Sequence, residues 1–251
     1  MMVNNKYPLI LLSGTAANET IFQWQTEAFQ KVIPVKWVAL KSSDTMEDYA
    51  DKLAASIAEE LTARFGKDSP CYIAGFSLGG MLASLVAKRF NTKACILIAS
   101  IRKPSEFPKR LRHILGFICR YTTWLVVTAV FLVKIFARCF MPFLACGASP
   151  KRKILLQQIF GCSSWFLTQQ LRMIYVWILD PKTWREDFTK DVAEWCDFPV
   201  YHIHGANDRL LLCNKTKPDK IVLGRHLLPL FQADEVNRYL ASVMAENDGE
   251  N

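Results

Sequence analysis

No Cys-x-x-Cys pair occurs among the eight cysteines, which removes the redox dithiol motif and the common zinc frameworks from consideration. In a chain of 251 residues such scattered cysteines, several in apolar runs, read as reduced thiols and point to a reducing compartment. There is no internal repeat and no low-complexity tract. The first apolar run, Pro8 to Leu12, has only five residues. That is too short for the core of a secretory signal, so it is expected to be the first strand of a cytoplasmic protein. Acidic residues are nearly missing from one region. Residues 101–180 hold 12 Lys and Arg against Glu106 and Asp180, a net +10, while the rest of the chain has 19 basic and 21 acidic residues, a net −2. A basic middle between near-neutral flanks reads as an insertion with its own partner or substrate.

What is present is an alternation of two periodicities. YPLILLS (7–13), IPVKWVAL (33–40), CYIAG (71–75) and ACILIA (94–99) are short apolar runs of the kind found in buried parallel strands. Between them, 19–30, 44–65 and 78–90 carry helical spacing. In the second of these, Tyr49, Leu53, Ile57 and Leu61 form one stripe, with Asp44 as the expected cap and Glu47 closing a capping box. The alternation stops near residue 100 and resumes with strands at 198–204 and 219–224 and a helix at 234–246. The expectation is an α/β fold, a mostly parallel sheet flanked by helices. Residues 1–100 and 196–251 would form this core, interrupted once by a helical, basic and apolar cap at 101–195.

Gly75-Phe76-Ser77-Leu78-Gly79 matches Gly-x-Ser-x-Gly and lies between an apolar strand and a helix. A sharp strand-to-helix turn strains the serine backbone and exposes Oγ at the carboxyl end of the sheet, over a helix N-terminus. Gly75 and Gly79 supply the room that the turn needs. A serine nucleophile requires a base and an orienting acid. Of the four histidines, His113 lies in the basic insertion next to Arg110 and Arg112, and His202 and His204 lie in or at the end of a strand. His226 follows the last strand, where a parallel sheet places its working residues, and Gly224 before it is expected to give the loop backbone freedom. Asp208 lies four residues beyond another strand's carboxyl end, whereas Asp219 starts a strand and so belongs to the wrong end of the sheet. The order Ser77, Asp208, His226 is that of the nucleophile-elbow hydrolases.

On these motifs, Ser13-Gly14, Gly75 to Gly79, His204-Gly205-x-x-Asp208 and Gly224-x-His226, the chain resembles the α/β-hydrolase fold superfamily over residues 7–100 and 197–247. The resemblance implies acyl transfer from an ester or thioester to Ser77, with His226 as base and Asp208 as its orienting partner. It also implies an oxyanion hole from the backbone N–H groups of Leu78 and Thr15, although Ser13 stands where the family usually has histidine. The segment "SDTMEDYADKLA" resembles the thioesterase branch. Some members of that branch place the acid after the strand ending near Ala99, where this chain reads "ASIRKP" with no acid before Glu106. Asp208 therefore remains the expected acid.

His202 and His204 face one side of a strand, as metal ligands could. A sheet covered by helices and the want of a second ligand cluster speak against it, so neither metal nor cofactor is expected. His202 is expected to pack at the sheet's edge and His204 to bond loop backbone. In the insertion, 13 uncharged residues, Tyr121 to Val133, precede Lys134 and Arg138. The expectation for 121–147 is a lid over an apolar pocket, with an interfacial helix on anionic lipid as the alternative. A full span would need about 20 apolar residues. Basic residues interleaved with aliphatic runs do not suit nucleic acid. The expected partner is a small ester or thioester with an apolar acyl group. Three functions share this pattern: a serine ester hydrolase, a thioesterase or acyltransferase with the same triad, and a non-catalytic binding protein on the same fold. The ester hydrolase is the leading expectation.

Overall fold

A computed structural model describes residues 2–120, 128, 131–132, 149–179 and 196–249. The lid expected at 121–147 lies outside these residues, apart from Thr128, Phe131 and Leu132. The apolar runs form strands β1 (Leu9–Leu12), β2 (Val32–Pro34), β3 (Cys71–Phe76), β4 (Thr92–Ile98), β5 (Val200–Gly205) and β6 (Lys220–Val222). Among the described residues they make one six-stranded sheet in the order β2-β1-β3-β4-β5-β6, and every neighbouring pair is parallel. The strands β2 and β6 are shorter than their apolar runs, and each is an edge with a single neighbour. Short edges limit the unpaired backbone that a sheet exposes.

Side chains alternate across the sheet and build two cores. Ile10 and Leu12 of β1 join the core that includes Ile73, Cys95 and Leu97, while Leu9 and Leu11 join Ala74, Ile96 and Ile98 on the other face. Helices α1 (Gln23–Ala28) and α9 (Ala233–Asp248) flank the second face. On the first lie α2 (Met46–Phe65) and α3 (Leu78–Ala87). The stripe Tyr49, Leu53, Ile57 and Leu61 of α2 is fully turned into that core. Each such leucine or isoleucine contributes roughly 1.5–3 kcal/mol by leaving water. The cap of α2 is one residue later than the sequence suggested. Thr45 and Asp48 form the reciprocal capping box, because the Asp44 carboxylate is already taken by Lys41 N–H at 2.7 Å and Lys52 Nζ at 2.6 Å.

Between β4 and β5 the described residues are largely helical: α4 (Lys109–Arg120), α5 (Pro150–Gly161) and α6 (Ser164–Leu179). Ser149 caps α5 and Pro150 opens it, a pairing suited to a helix start. Met173, Ile174 and Ile178 of α6 extend the first core. Among the described residues no helix is long and apolar enough to cross a membrane. Two short helices complete the chain, α7 (Cys213–Thr216) after β5 and α8 (Leu228–Phe231) after β6.

The strand order fixes where a site can form. From β1 the chain leaves toward β2 on one side, and β3 returns on the other. Loops beyond the carboxyl ends of β1 and β3 therefore diverge and leave a crevice between them. The Ser13–Asn18 loop follows β1, and Ser77 follows β3.

Candidate active site

Ser77 occupies the turn from β3 to α3 with φ 54° and ψ −116°, a region that costs a non-glycine residue roughly 1–3 kcal/mol. The surrounding backbone enforces it. Ser77 N–H donates to Ile98 O at 3.0 Å, and its carbonyl accepts from Gly80 N–H at 2.9 Å and Ser100 Oγ at 2.7 Å. The glycines are required by contact. A Cβ on Gly75 would lie 2.1 Å from Gly79 O, and one on Gly79 would lie 2.1 Å from Leu12 O. Gly80, which the motif does not include, is equally constrained, since a Cβ there would meet Ser100 Cβ at 2.4 Å. The doubled glycine at 79–80 was the available signal.

The loops beyond β3, β5 and β6 bring the three expected residues together. His226 Nε2 lies 2.9 Å from Ser77 Oγ, and His226 Nδ1 lies 2.7 Å from Asp208 Oδ2. Phe76 packs its ring against the His226 imidazole, with centroids 5.2 Å apart. Gly224 has a different role from the one expected. It is not in a left-handed conformation, and it is buried where a Cβ would meet Gln232 Cγ at 2.8 Å. Close packing of the loop against the start of α9, rather than conformational freedom, accounts for it. The discarded candidates stay apart from His226. His113 is an exposed residue of α4. Asp219 accepts from His202 N–H at 2.7 Å and from Arg102 Nη2 at 2.5 Å. Glu106 accepts from Arg102 N–H at 2.8 Å.

Asp208 is buried and saturated with donors. Its Oδ1 accepts from Leu210 N–H at 2.8 Å and Leu211 N–H at 3.0 Å, and its Oδ2 accepts from His226 and from His204 Nε2 at 3.1 Å. Burial alone would raise its carboxyl, but the bonds from His204, His226 and Leu210 N–H hold it well below the usual carboxylate range. A carboxylate fixed in this way holds the Nδ1–H tautomer of His226 and leaves Nε2 free to accept a proton.

The sequence did not disclose the contact between His204 and Asp208, although their i, i+4 spacing was its trace. His204 Nε2 also lies 2.7 Å from Leu211 O. Facing two acceptors, Nε2 carries the proton, so Nδ1 accepts from His202 Nε2 at 3.1 Å. Both histidines are fully buried, and the strand spacing that suggested chelation sets their rings edge to face. His202 is not at the sheet's edge, since β5 lies between β4 and β6. Desolvation, then the neighbouring His204 and Arg102, push its imidazole well below the ordinary histidine range, so it is neutral.

Above Ser77 lies a cavity of about 410 Å³. Its floor is Ser77, Leu78, His226 and Thr15, and its walls include Met81, Leu111, Leu115, Leu171 and Ile174. Both residues expected to give oxyanion donors, Thr15 and Leu78, thus border the same space as Ser77 Oγ. Leu78 opens α3, whose N-terminal end favours negative charge. The sequence also gave no sign that Gln158 and Gln170, from α5 and α6, bond the loop that holds Thr15.

Residues 7–98, from β1 through β4, match the thioesterase domain family. No curated protein sequence matches the chain significantly. Solved structures do. An esterase from Thermogutta terrifontis superposes with a TM-score of 0.65 at 16% identity, covering 98% of this chain and 92% of its own. MenH from S. aureus gives 0.62 at 15% identity, covering 98% and 96%. The N-acyl homoserine lactonase AidH, complexed with N-butanoyl homoserine, gives 0.62 at 13% identity, covering 98% and 91%.

Proposed function

This chain has the α/β-hydrolase fold, and on that premise we propose that it is a serine hydrolase cleaving carboxylic esters of apolar acyl groups. The observation that carries the reading is Ser77 Oγ, held on a strained turn 2.9 Å from His226 Nε2 at the floor of an apolar cavity. Ser77 Oγ attacks the carbonyl carbon while His226 Nε2 takes its proton. Asp208 holds the imidazole in the required tautomer and stabilises the imidazolium that forms. The N–H groups of Leu78 and Thr15 receive the oxyanion, each donor contributing about 3–4 kcal/mol to lowering the barrier. His226 returns the proton to the leaving alcohol. Water, activated by the same imidazole, then releases the acid and frees Ser77. Every step uses groups of this chain and water alone.

In this reading residues 101–195 act as a cap. Helices α4, α5 and α6 supply apolar walls of the cavity, which suits an acyl chain rather than a polar group. The basic excess of the insertion, with Phe117 and Trp165 exposed, supports peripheral contact with an anionic membrane. The free thiols of Cys71, Cys95, Cys119 and Cys213 are in keeping with a reducing compartment such as the cytoplasm. The match of residues 7–98 to the thioesterase domain favours one second reading, hydrolysis or transfer of an acyl thioester by the same three residues.

A fluorophosphonate probe tests the proposal. Wild type is labelled and Ser77→Ala is not. Unlabelled wild type that is folded removes the hydrolase reading and leaves a ligand-binding protein. Labelling that persists in Ser77→Ala moves the nucleophile elsewhere. Relative kcat/KM for p-nitrophenyl esters and acyl-CoA then separates ester from thioester.

A further inference from the structure

The loop that carries Thr15 is not self-supporting. Its internal bonds are Ala17 N–H to Gly14 O at 3.1 Å and a long Ser13 Oγ to Ala17 O contact at 3.4 Å, and Ala16 sits at φ 59°. A left-handed alanine costs roughly 1–2 kcal/mol and persists only where its surroundings impose it. Trp37 Nε1 of the core donates to Ala17 O at 2.6 Å, and two glutamines of the insertion hold the loop from 154 and 140 residues away. Gln170 Oε1 on α6 accepts from Ala16 N–H at 3.1 Å. Gln158 Oε1 on α5 accepts from Asn18 N–H at 2.6 Å, and its Nε2 donates to Asn18 Oδ1 at 2.9 Å and Thr20 Oγ1 at 2.6 Å. Both side chains are buried, and Gln170 completely so.

We propose that Gln158 and Gln170 are positioning residues that set the oxyanion-binding loop, so that seating of the insertion on the core assembles the second oxyanion donor. The inference rests on the hydrolase reading above. Three features carry it. Ala16 N belongs to the peptide unit that follows Thr15, so the bond to Gln170 fixes the torsion between the Thr15 N–H and that plane. The same bond engages the Ala16 N–H, and the N–H groups of Ala17 and Asn18 are taken by Gly14 O and Gln158 Oε1, so the donor role falls to Thr15, which borders the cavity. And Gln170 Nε2, fully buried, finds no partner among the described residues. A buried amide with half of its hydrogen-bonding capacity unmet is a poor device for stability alone, since an unpaired donor carries a full desolvation cost. Its oxygen is the part that is used.

Methionine matches glutamine in length and removes both the acceptor and the orphaned donor, whereas glutamate keeps an acceptor for Ala16 N–H. Gln170→Met is therefore expected to fold. It should lower kcat for a p-nitrophenyl ester by about 10–100-fold with KM changed less than threefold, because a donor displaced by about 1 Å loses its transition-state role and not the acyl pocket. Affinity for an alkyl trifluoromethyl ketone, which forms an oxyanion adduct on Ser77, should fall in parallel, while affinity for the corresponding fatty acid should hold. Gln170→Glu, which keeps the acceptor but buries a charge, should recover only part of the kcat. Gln158→Met makes the same comparison from α5 and carries the test if Gln170→Met fails to fold. Retention of wild-type kcat and ketone affinity in both folded methionine variants overturns the brace while leaving the hydrolase intact. Equal loss of ketone and fatty-acid binding assigns the glutamines to structure only. A wild type inert to fluorophosphonate and ketone removes the hydrolase reading itself, and this inference with it.

Discussion

Replacing Asp208 by asparagine leaves the shape of the side chain unchanged and reverses part of its hydrogen-bonding. The carboxylate accepts four bonds, two from backbone N–H groups on Oδ1 and two from imidazoles on Oδ2. An amide has one oxygen to offer. If that oxygen stays on Leu210 and Leu211 N–H, the new NH2 group faces His226 Nδ1 and the Nε2–H of His204. His226 must then accept at Nδ1 and carry its proton on Nε2, 2.9 Å from Ser77 Oγ, where it can no longer receive the serine proton. The alternative flip sets the NH2 against two backbone donors and is worse. The negative charge that stabilises the imidazolium is lost in either case. A wrong-tautomer base with its counter-charge removed corresponds to a loss of about 10⁴-fold in rate, or roughly 5 kcal/mol in the barrier. Folding should suffer less, by about 1–3 kcal/mol, because the Nε2–H of His204 retains Leu211 O. Steady-state hydrolysis of a p-nitrophenyl ester, with circular dichroism to establish folding, gives both quantities. If folded Asp208→Asn keeps more than a tenth of the wild-type kcat/KM, Asp208 is not the orienting acid and the geometry has been misread.

Burial also gives His202 a signature in stability. Its imidazole is held neutral in the folded protein, while the unfolded chain takes a proton near pH 6.5. The unfolded state therefore binds more protons below that pH, and stability falls as the pH drops from about 6.5 toward the depressed folded value. Between pH 7.5 and 5.5 wild type should lose about 1 kcal/mol more than His202→Gln, which keeps an N–H for His204 and does not titrate. Urea midpoints that track each other across this range contradict the assignment. The cavity makes a claim about chain length. Each methylene that enters it should raise kcat/KM roughly three- to fourfold, from about 0.8 kcal/mol of apolar burial. Met81→Trp, which fills part of the wall, should bring the plateau to shorter p-nitrophenyl esters, and a profile flat in chain length would place the acyl group elsewhere.

The order of strands and helices was legible in the sequence because buried parallel strands are apolar throughout and their covering helices are not. The two patterns differ in period and length. Ser77 was legible because the turn that exposes it admits only glycine at 75 and 79, a local steric demand written in consecutive residues. Asp208 and His226 could be nominated from their places beyond strand ends. Their meeting across 18 residues, and with Ser77 across 149, is decided by the sheet order that sets β3, β4, β5 and β6 side by side. Beyond the i, i+4 spacing nothing local marks His204 as a donor to Asp208, because the bond depends on β5 turning back within one short loop. The reason for Gly224 likewise lies in Gln232 packing against it and not in its own backbone. Gln158 and Gln170 lie furthest from sequence reach. An amide in a helix carries no pattern of its own, and these two acquire a role only because α5 and α6 bring them to a loop more than 130 residues earlier in the chain. The sequence by itself determined which residue types could do acyl chemistry and the strand ends at which they stand. The tertiary structure alone decided which of them touch, since hydrogen bonds act over about 3 Å and chain separation says nothing about that distance.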